Sequence, residues 1–235
     1  MNAPGSAISL DELRFGWTQG QPFLEIAQFS VTRGEKVFLK GPSGCGKSTL
    51  LGLIGGVLEP QSGSVSVLGR SLQAMRRQDR DRFRANHVGF IFQMFNLIPY
   101  LSILDNVVLP LEFAEGRRNN LASRGVQPEA EARRLLGALG LQDEAMLERR
   151  VTALSQGQQQ RVAAARALIG QPDVLVADEP TSSLDADARQ SFLALLMAEC
   201  ASAGTTVVFV SHDAALGPLF DRTVEFGSLP RRAAA

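Results

Sequence analysis

The sequence predicts an α/β fold whose parallel sheet is covered on both faces. Short apolar runs alternate with longer helical stretches along the chain. Two of those runs, 173–177 (DVLVA) and 205–210 (TTVVFV), are continuously apolar rather than alternating, as strands buried on both faces are. A third, 35–40 (EKVFLK), runs straight into a glycine-rich turn followed by a helical pattern.

In chain order, the strand at 35–40 leads through that turn to a helix over 47–57. Strands follow at 64–68 and 88–92. Between them the Arg-rich segment 75–87 carries Asp79 and Asp81, the pattern of a solvated helix laced with i,i+4 charge pairs. From about 102 to 169 the pattern is helical, most clearly at 129–139 and 158–169. Residues 94–165 therefore read as a helical subdomain inserted into a core made of 8–93 and 166–227. Leu193, Leu196, Met197 and Cys200 fall at helical spacing and predict a buried stripe. Residues 228–235, ending RRAAA, read as a tail.

Composition narrows the function. The chain has 235 residues, room for one large domain or two small ones. Its 24 basic and 24 acidic residues cancel, so the basic excess of a nucleic-acid-wrapping protein is absent. Cys45 and Cys200 are too few for a disulfide framework. The first residues, MNAPGSAISLDELRF, lack the basic head and apolar stretch of a signal peptide. The greasiest window, 88–114, is broken by Gln93, Asn96, Pro99, Asp105, Asn106 and Pro110, so no membrane helix is expected. The expectation is a soluble, reduced, cytosolic chain.

The strongest chemical signal is GPSGCGKS at 41–48, a match to G-x-x-x-x-G-K-[ST]. Gly41, Gly44 and Gly46 let the backbone turn tightly and aim N–H groups at phosphate oxygens. Pro42, Ser43 and Cys45 complete the loop, and Thr49 follows it. Lys47 brings a mobile ammonium to the β- and γ-phosphates. The Ser48 hydroxyl can bind Mg²⁺, and the helix behind it turns its positive end to the anion. A chance match in a chain of this length has odds of roughly one in a hundred. The second signal is the apolar strand ending in Asp178, Glu179 and Pro180. Neighbouring carboxylates at a strand end point to opposite sides and can divide the work, Asp178 toward the metal and Glu179 as general base. Alone the pair reads as a capped loop start; after a P-loop it is a Walker B candidate. The third is LSQGQ at 154–158, leading into a helix. Ser155 there reads equally as an ordinary N-cap or as part of an anion site.

These three motifs, in this order, make the chain resemble the ATP-binding cassette (ABC) ATPases over about residues 8–227. The resemblance implies a P-loop core with an N-terminal antiparallel β portion and an inserted helical subdomain, working on ATP with Mg²⁺. It implies that Gln93 is the Q-loop glutamine, meeting Mg²⁺ and the attacking water. Ser155, Gly157 and Gln158 become the signature that covers the γ-phosphate of ATP held by a second subunit. Ser183, Leu184 and Asp185 match the D-loop at that dimer seam, and His212 the switch histidine. Trp17 stands where the family stacks an aromatic, usually tyrosine, on adenine. Gln156 departs from the pattern, which has glycine there.

The family further implies a homodimer and integral-membrane permease subunits, with the ATPase peripheral on the cytoplasmic face of the inner membrane. Nucleic acid has no place in that assembly. Residues 96–111 (NLIPYLSILDNVVLPL) resemble the lipoprotein-releasing and macrolide-exporting branch, which works by mechanotransmission. The apolar window 92–113 then reads as a groove for a permease helix, although a subdomain core has the same composition. An ATPase that transmits a regulatory signal instead of moving cargo fits the same residues. A ribosome-acting protein would carry two cassettes, and a chromosome-scaffold ATPase a long coiled coil. Only about 60 residues separate Gln93 from Ser155, too few for the latter. His87 has no role in this scheme and reads as structural.

Overall fold

Ten N-terminal residues, SAISLDELRF, form β1 (Ser6–Phe15), burying Ala7, Ile8, Leu10 and Leu13 completely. It pairs antiparallel with β2 (Leu24–Thr32) on one side and β4 (Ser62–Val67) on the other. The two-residue β5 (Arg70–Ser71) completes a sheet ordered β2-β1-β4-β5. This is the antiparallel portion implied by the family resemblance. Periodicity alone does not reveal β1 because its register against β4 shifts between Asp11 and Arg14, where Glu12 has φ 49°. Gly63 lies opposite this bulge, where a Cβ would come within 2.2 Å of the Glu12 carbonyl oxygen.

The computed structural model describes residues 5–18, 21–182 and 184–229. It divides into two compact units, one of residues up to 84 together with those from 206 onward, the other of 85–205. In the first unit β3 (Lys36–Lys40) lies between β8 (Thr206–Ser211) and β9 (Arg222–Glu225), parallel to both. Val37, Phe38, Leu39 and the run 207–210 are buried, as their continuous hydrophobicity predicts. Phe38, Phe209 and Phe220 cluster with ring centroids 5.2–6.3 Å apart. Helix α1 (Lys47–Ile54) stops short of the predicted residue 57, because Gly55 ends it and Gly56 turns to φ 66°. Helix α2 (Arg77–His87) is less solvated than its composition implies. Arg80 is buried, pairs with Glu59 and is joined in the interior by Phe83.

The second unit holds the parallel pair β6 (Val88–Ile91) and β7 (Val174–Asp178). Its helices are α3 (Ile103–Val108), α4 (Glu115–Ser123), α5 (Pro128–Ala138), α6 (Glu144–Leu147), α7 (Gln156–Leu168) and α8 (Ala186–Ala203). The predicted inserted segment 94–165 lies wholly within it. Breakers explain why the helices are short. Ser102 caps α3, Pro128 opens α5, and Gly125 and Gly140 take φ 67° and 84°. Helix α7 packs on α3, α5 and β6. Asn106, a polar interruption in the apolar window, is fully buried and satisfied. Its side chain accepts from Ile98 N at 2.8 Å and donates to the Ile98 and Ser102 carbonyls.

Two further side chains brace this unit. Arg117 of α4 is buried and donates to the carbonyls of Asn86, Ala167 and Ile169, at the C-terminal ends of α2 and α7. Burial lowers its pKa to about 10, with Asp173 pulling the other way, so it remains charged at neutral pH. His87 Nδ1 lies 2.7 Å from Asp173 Oδ2, the structural role expected of it. The predicted stripe Leu193, Leu196, Met197 and Cys200 is buried on α8. Among the described residues no helix is long and apolar enough to cross a membrane.

Candidate active site

Paired parallel strands deliver the first set of residues. In the first unit Lys40 of β3 is opposite Ser211 of β8, so the 41–46 loop and His212 leave neighbouring strands at their carboxyl ends. That edge is where open α/β sheets place ligands. Gly46 precedes α1 with φ 106°, and Gly44 has φ 77°, both left-handed positions that favour glycine. Gly41 is needed for space, since a Cβ there would meet Phe226 Cβ at 2.9 Å. Pro42, Ser43 and Gly44 are exposed, while Lys47 and Thr49 are buried. The Lys47 ammonium donates to the carbonyls of Gly41 at 2.8 Å and Pro42 at 2.7 Å. Ser48, in the first turn of α1, is exposed. A cavity of about 340 Å³ opens beside the loop, lined in part by Phe23, Pro42, Cys45 and Phe226.

Trp17 stands 67% exposed in the β1–β2 connection, its ring edge-on to Phe15 at 5.1 Å. An exposed ring offers a free face for stacking. Gly16 before it is obligatory, because a Cβ would lie 2.1 Å from the Gln21 carbonyl oxygen. Gln61 closes this turn by donating to the Gly16 and Thr18 carbonyls.

The second unit repeats the arrangement with carboxylates. Ile91 of β6 is opposite Ala177 of β7, so Gln93 and the pair Asp178–Glu179 leave adjacent strands at the same end. Gln93 is exposed; Asp178 and Glu179 are half-buried. Glu179 adopts φ 43°, a strained backbone for a residue that also precedes proline. Ser155 caps α7 in a reciprocal box: its Oγ accepts from Gln158 N at 3.3 Å, and Gln158 Oε1 accepts from Ser155 N at 2.9 Å. Gln156 is exposed on the first turn. Asp185 caps α8 through Ala188 N at 2.8 Å. Leu184 approaches Gly157 so closely that a Cβ there would lie 3.2 Å from its Cδ2. Gly157 and Leu184 are therefore neighbours within one unit. Ser183 lies outside the described residues.

Residues 24–182 match the ABC transporter family. The chain is 41% identical over 218 residues to the ABC transporter ATP-binding protein YbbA of Escherichia coli K12, covering 92% of each. It is 42% identical over 205 residues to the lipoprotein-releasing system ATP-binding protein LolD of Anaeromyxobacter dehalogenans, covering 87% of this chain and 82% of that one. A dimeric post-hydrolysis structure of the cassette MJ0796, bound to ADP and Pi, superposes with a TM-score of 0.83 at 33% identity. That match covers 95% of this chain and 97% of the other. The chain belongs to the ABC transporter family.

This ABC cassette is an ATP-binding subunit and hydrolyses ATP. The family also implies Mg²⁺. Among the described residues no three His, Cys, Asp or Glu side chains converge as an all-protein cage. Ser48 in the first unit carries a hydroxyl and Asp178 in the second a carboxylate, each a hard oxygen donor of the kind Mg²⁺ takes when substrate phosphates provide the rest. By donor chemistry each residue suits the ion. Three contacts of the cassette escape sequence reasoning: Phe226 against Gly41 and Gly46, Gln61 closing the Trp17 turn, and Leu184 against Gly157. Each joins residues distant in sequence, and only the glycines themselves signal a close approach.

Proposed function

We propose that this cassette forms a head-to-tail homodimer on the cytoplasmic face of the inner membrane and powers a separate permease of the lipoprotein-releasing, mechanotransmitting type. In this reading Lys47 and the loop amides offset phosphate charge, Glu179 accepts the proton of the attacking water, and Gln93 and His212 orient that water. Ser48, Asp178 and Gln93 would hold Mg²⁺, which would offset charge on the phosphate oxygens. Trp17 stacks on the base. Ser155, Gly157, Gln158 and Asp185 face the nucleotide of the other subunit, which is why one chain alone carries an incomplete site.

The observation that carries the membrane partner is the surface just beyond Gln93. Met94, Tyr100 and Phe113 are 81%, 72% and 71% exposed, large side chains available for burial against a partner helix. The LolD relatives, named for lipoprotein release, support the branch. The test is affinity capture of tagged Glu179→Gln from solubilised membranes with Mg-ATP. A co-purifying permease with few membrane helices and a large periplasmic domain is expected. One with many helices around a substrate cavity overturns the branch, and recovery of ribosomal or nucleic-acid material overturns the transporter assignment.

A further inference from the structure

The turn after Gln93 holds two consecutive side-chain-bearing residues in left-handed backbone, Phe95 at φ 57° and Asn96 at φ 50°. Asparagine tolerates that region, but for phenylalanine it is an outlier that persists only where the surroundings impose it. The turn folds its own N–H groups inward, Phe95 N to Phe92 O at 3.0 Å and Asn96 N to Met94 O at 2.6 Å. Its carbonyls are held by one side chain. Arg166 donates through Nη2 to Phe95 O at 2.5 Å and through Nη1 to Asn96 O at 2.7 Å. A planar fork can hold two adjacent carbonyls at once, which a lysine ammonium does not match.

Arg166 lies in the last turn of α7, the helix that Ser155 caps. It is half-buried, and burial lowers its pKa. Among the described residues it bonds to these two carbonyls and to no carboxylate. Placing a cation there with only neutral partners has a desolvation cost, which the two carbonyl bonds offset.

We infer that Arg166 is a positioning residue for ATP hydrolysis: it clamps the strained 94–96 turn to the signature helix, so that Gln93 is presented in a fixed pose and the two segments move as one body. The inference rests on the reading of Gln93 as the glutamine that meets ATP and its attacking water. Arg166 itself touches no reacting atom.

The full chain is tested as Arg166→Met and Arg166→Lys, beside Gln93→Ala and the double variant Gln93→Ala/Arg166→Met. Nucleotide affinity, read with a fluorescent ATP analogue, is expected to stay within about two-fold of wild type, because the Lys47 loop is untouched. Turnover of Arg166→Met is expected to fall about ten-fold or more with little change in KM, and Arg166→Lys to recover part of it. The double variant should be no slower than the slower single one, as residues acting through one another require. Amide exchange should quicken at 93–96 and stay unchanged along α7. If Arg166→Met hydrolyses at the wild-type rate while Gln93→Ala is slow, the clamp is not needed and the inference fails. Additive losses in the double variant, or exchange quickened across the whole unit, make Arg166 a general brace and also overturn it. A wild-type rate in Gln93→Ala overturns the underlying reading of the site, and the exchange data then report separately on the clamp.

Discussion

Lys47 folds back on its own loop, its ammonium bonded to the Gly41 and Pro42 carbonyls. In the proposed reading, nucleotide binding exchanges those neutral acceptors for phosphate oxygens, which hold a cation more strongly. Lys47→Ala should therefore lose most nucleotide affinity and reduce turnover by about 10² or more, checked by titration and phosphate release. Near-normal turnover would refute its role. Cys45 is half-buried in the same loop and faces the cavity that Phe23 and Phe226 line. Alkylation of its thiol should block nucleotide binding, with ATP protecting. A Cys45→Ala variant that stays equally sensitive to the reagent sinks that idea.

At the scale of elements, Arg117 closes the C-terminal ends of two helices with one guanidinium. Arg117→Met keeps the stem but leaves buried carbonyls without donors, each worth about 1–3 kcal/mol. A loss of about 2–4 kcal/mol is expected in urea unfolding of the full chain. A second tie joins the turn before β3 to β9, where Glu35 meets Arg222 Nε at 2.6 Å. Burial alone would raise the Glu35 pKa, but Arg222 and the Thr32 N–H outweigh it and the net shift is downward. A carboxylate lowered in the folded state stabilises above its unfolded pKa, and that stability is lost as pH falls through the folded value. Thermal unfolding should thus show Glu35→Gln less stable than wild type at neutral pH, with the difference closing below about pH 4. A gap independent of pH would mean the pair contributes nothing through its charge.

At the scale of the whole molecule, each unit holds part of the proposed site at the carboxyl ends of a parallel strand pair: the 41–48 loop with His212 in one, Gln93 with Asp178 and Glu179 in the other. The start of α7, capped by Ser155 and packed on Leu184, exposes Ser155 and Gln156. If it completes the site of a second chain, Ser155→Arg should abolish ATP-dependent dimerisation while leaving monomer affinity for nucleotide nearly unchanged. Gel filtration in the Glu179→Gln background, beside nucleotide titration, measures both. Dimers that persist in the arginine variant contradict the head-to-tail arrangement.

How much could be read in advance divides along the same scales. The phosphate loop and the carboxylate pair were legible because each is a local strand–loop event written in consecutive residues, where hydrophobic run, glycine and charge adjoin. The stripe on α8 and the buried strands β7 and β8 were legible for the same reason: periodicity is a one-dimensional signal. The Q-loop, D-loop and switch-histidine assignments rest on family resemblance alone, since a lone glutamine or histidine carries no local pattern. Tertiary structure alone decided the bulged register of β1, the burial of Arg80 and Arg117, and the grip of Arg166 on a left-handed turn some 70 residues away. Those features depend on which distant carbonyls and carboxylates come to lie beside a charge, and that is settled only when the chain packs.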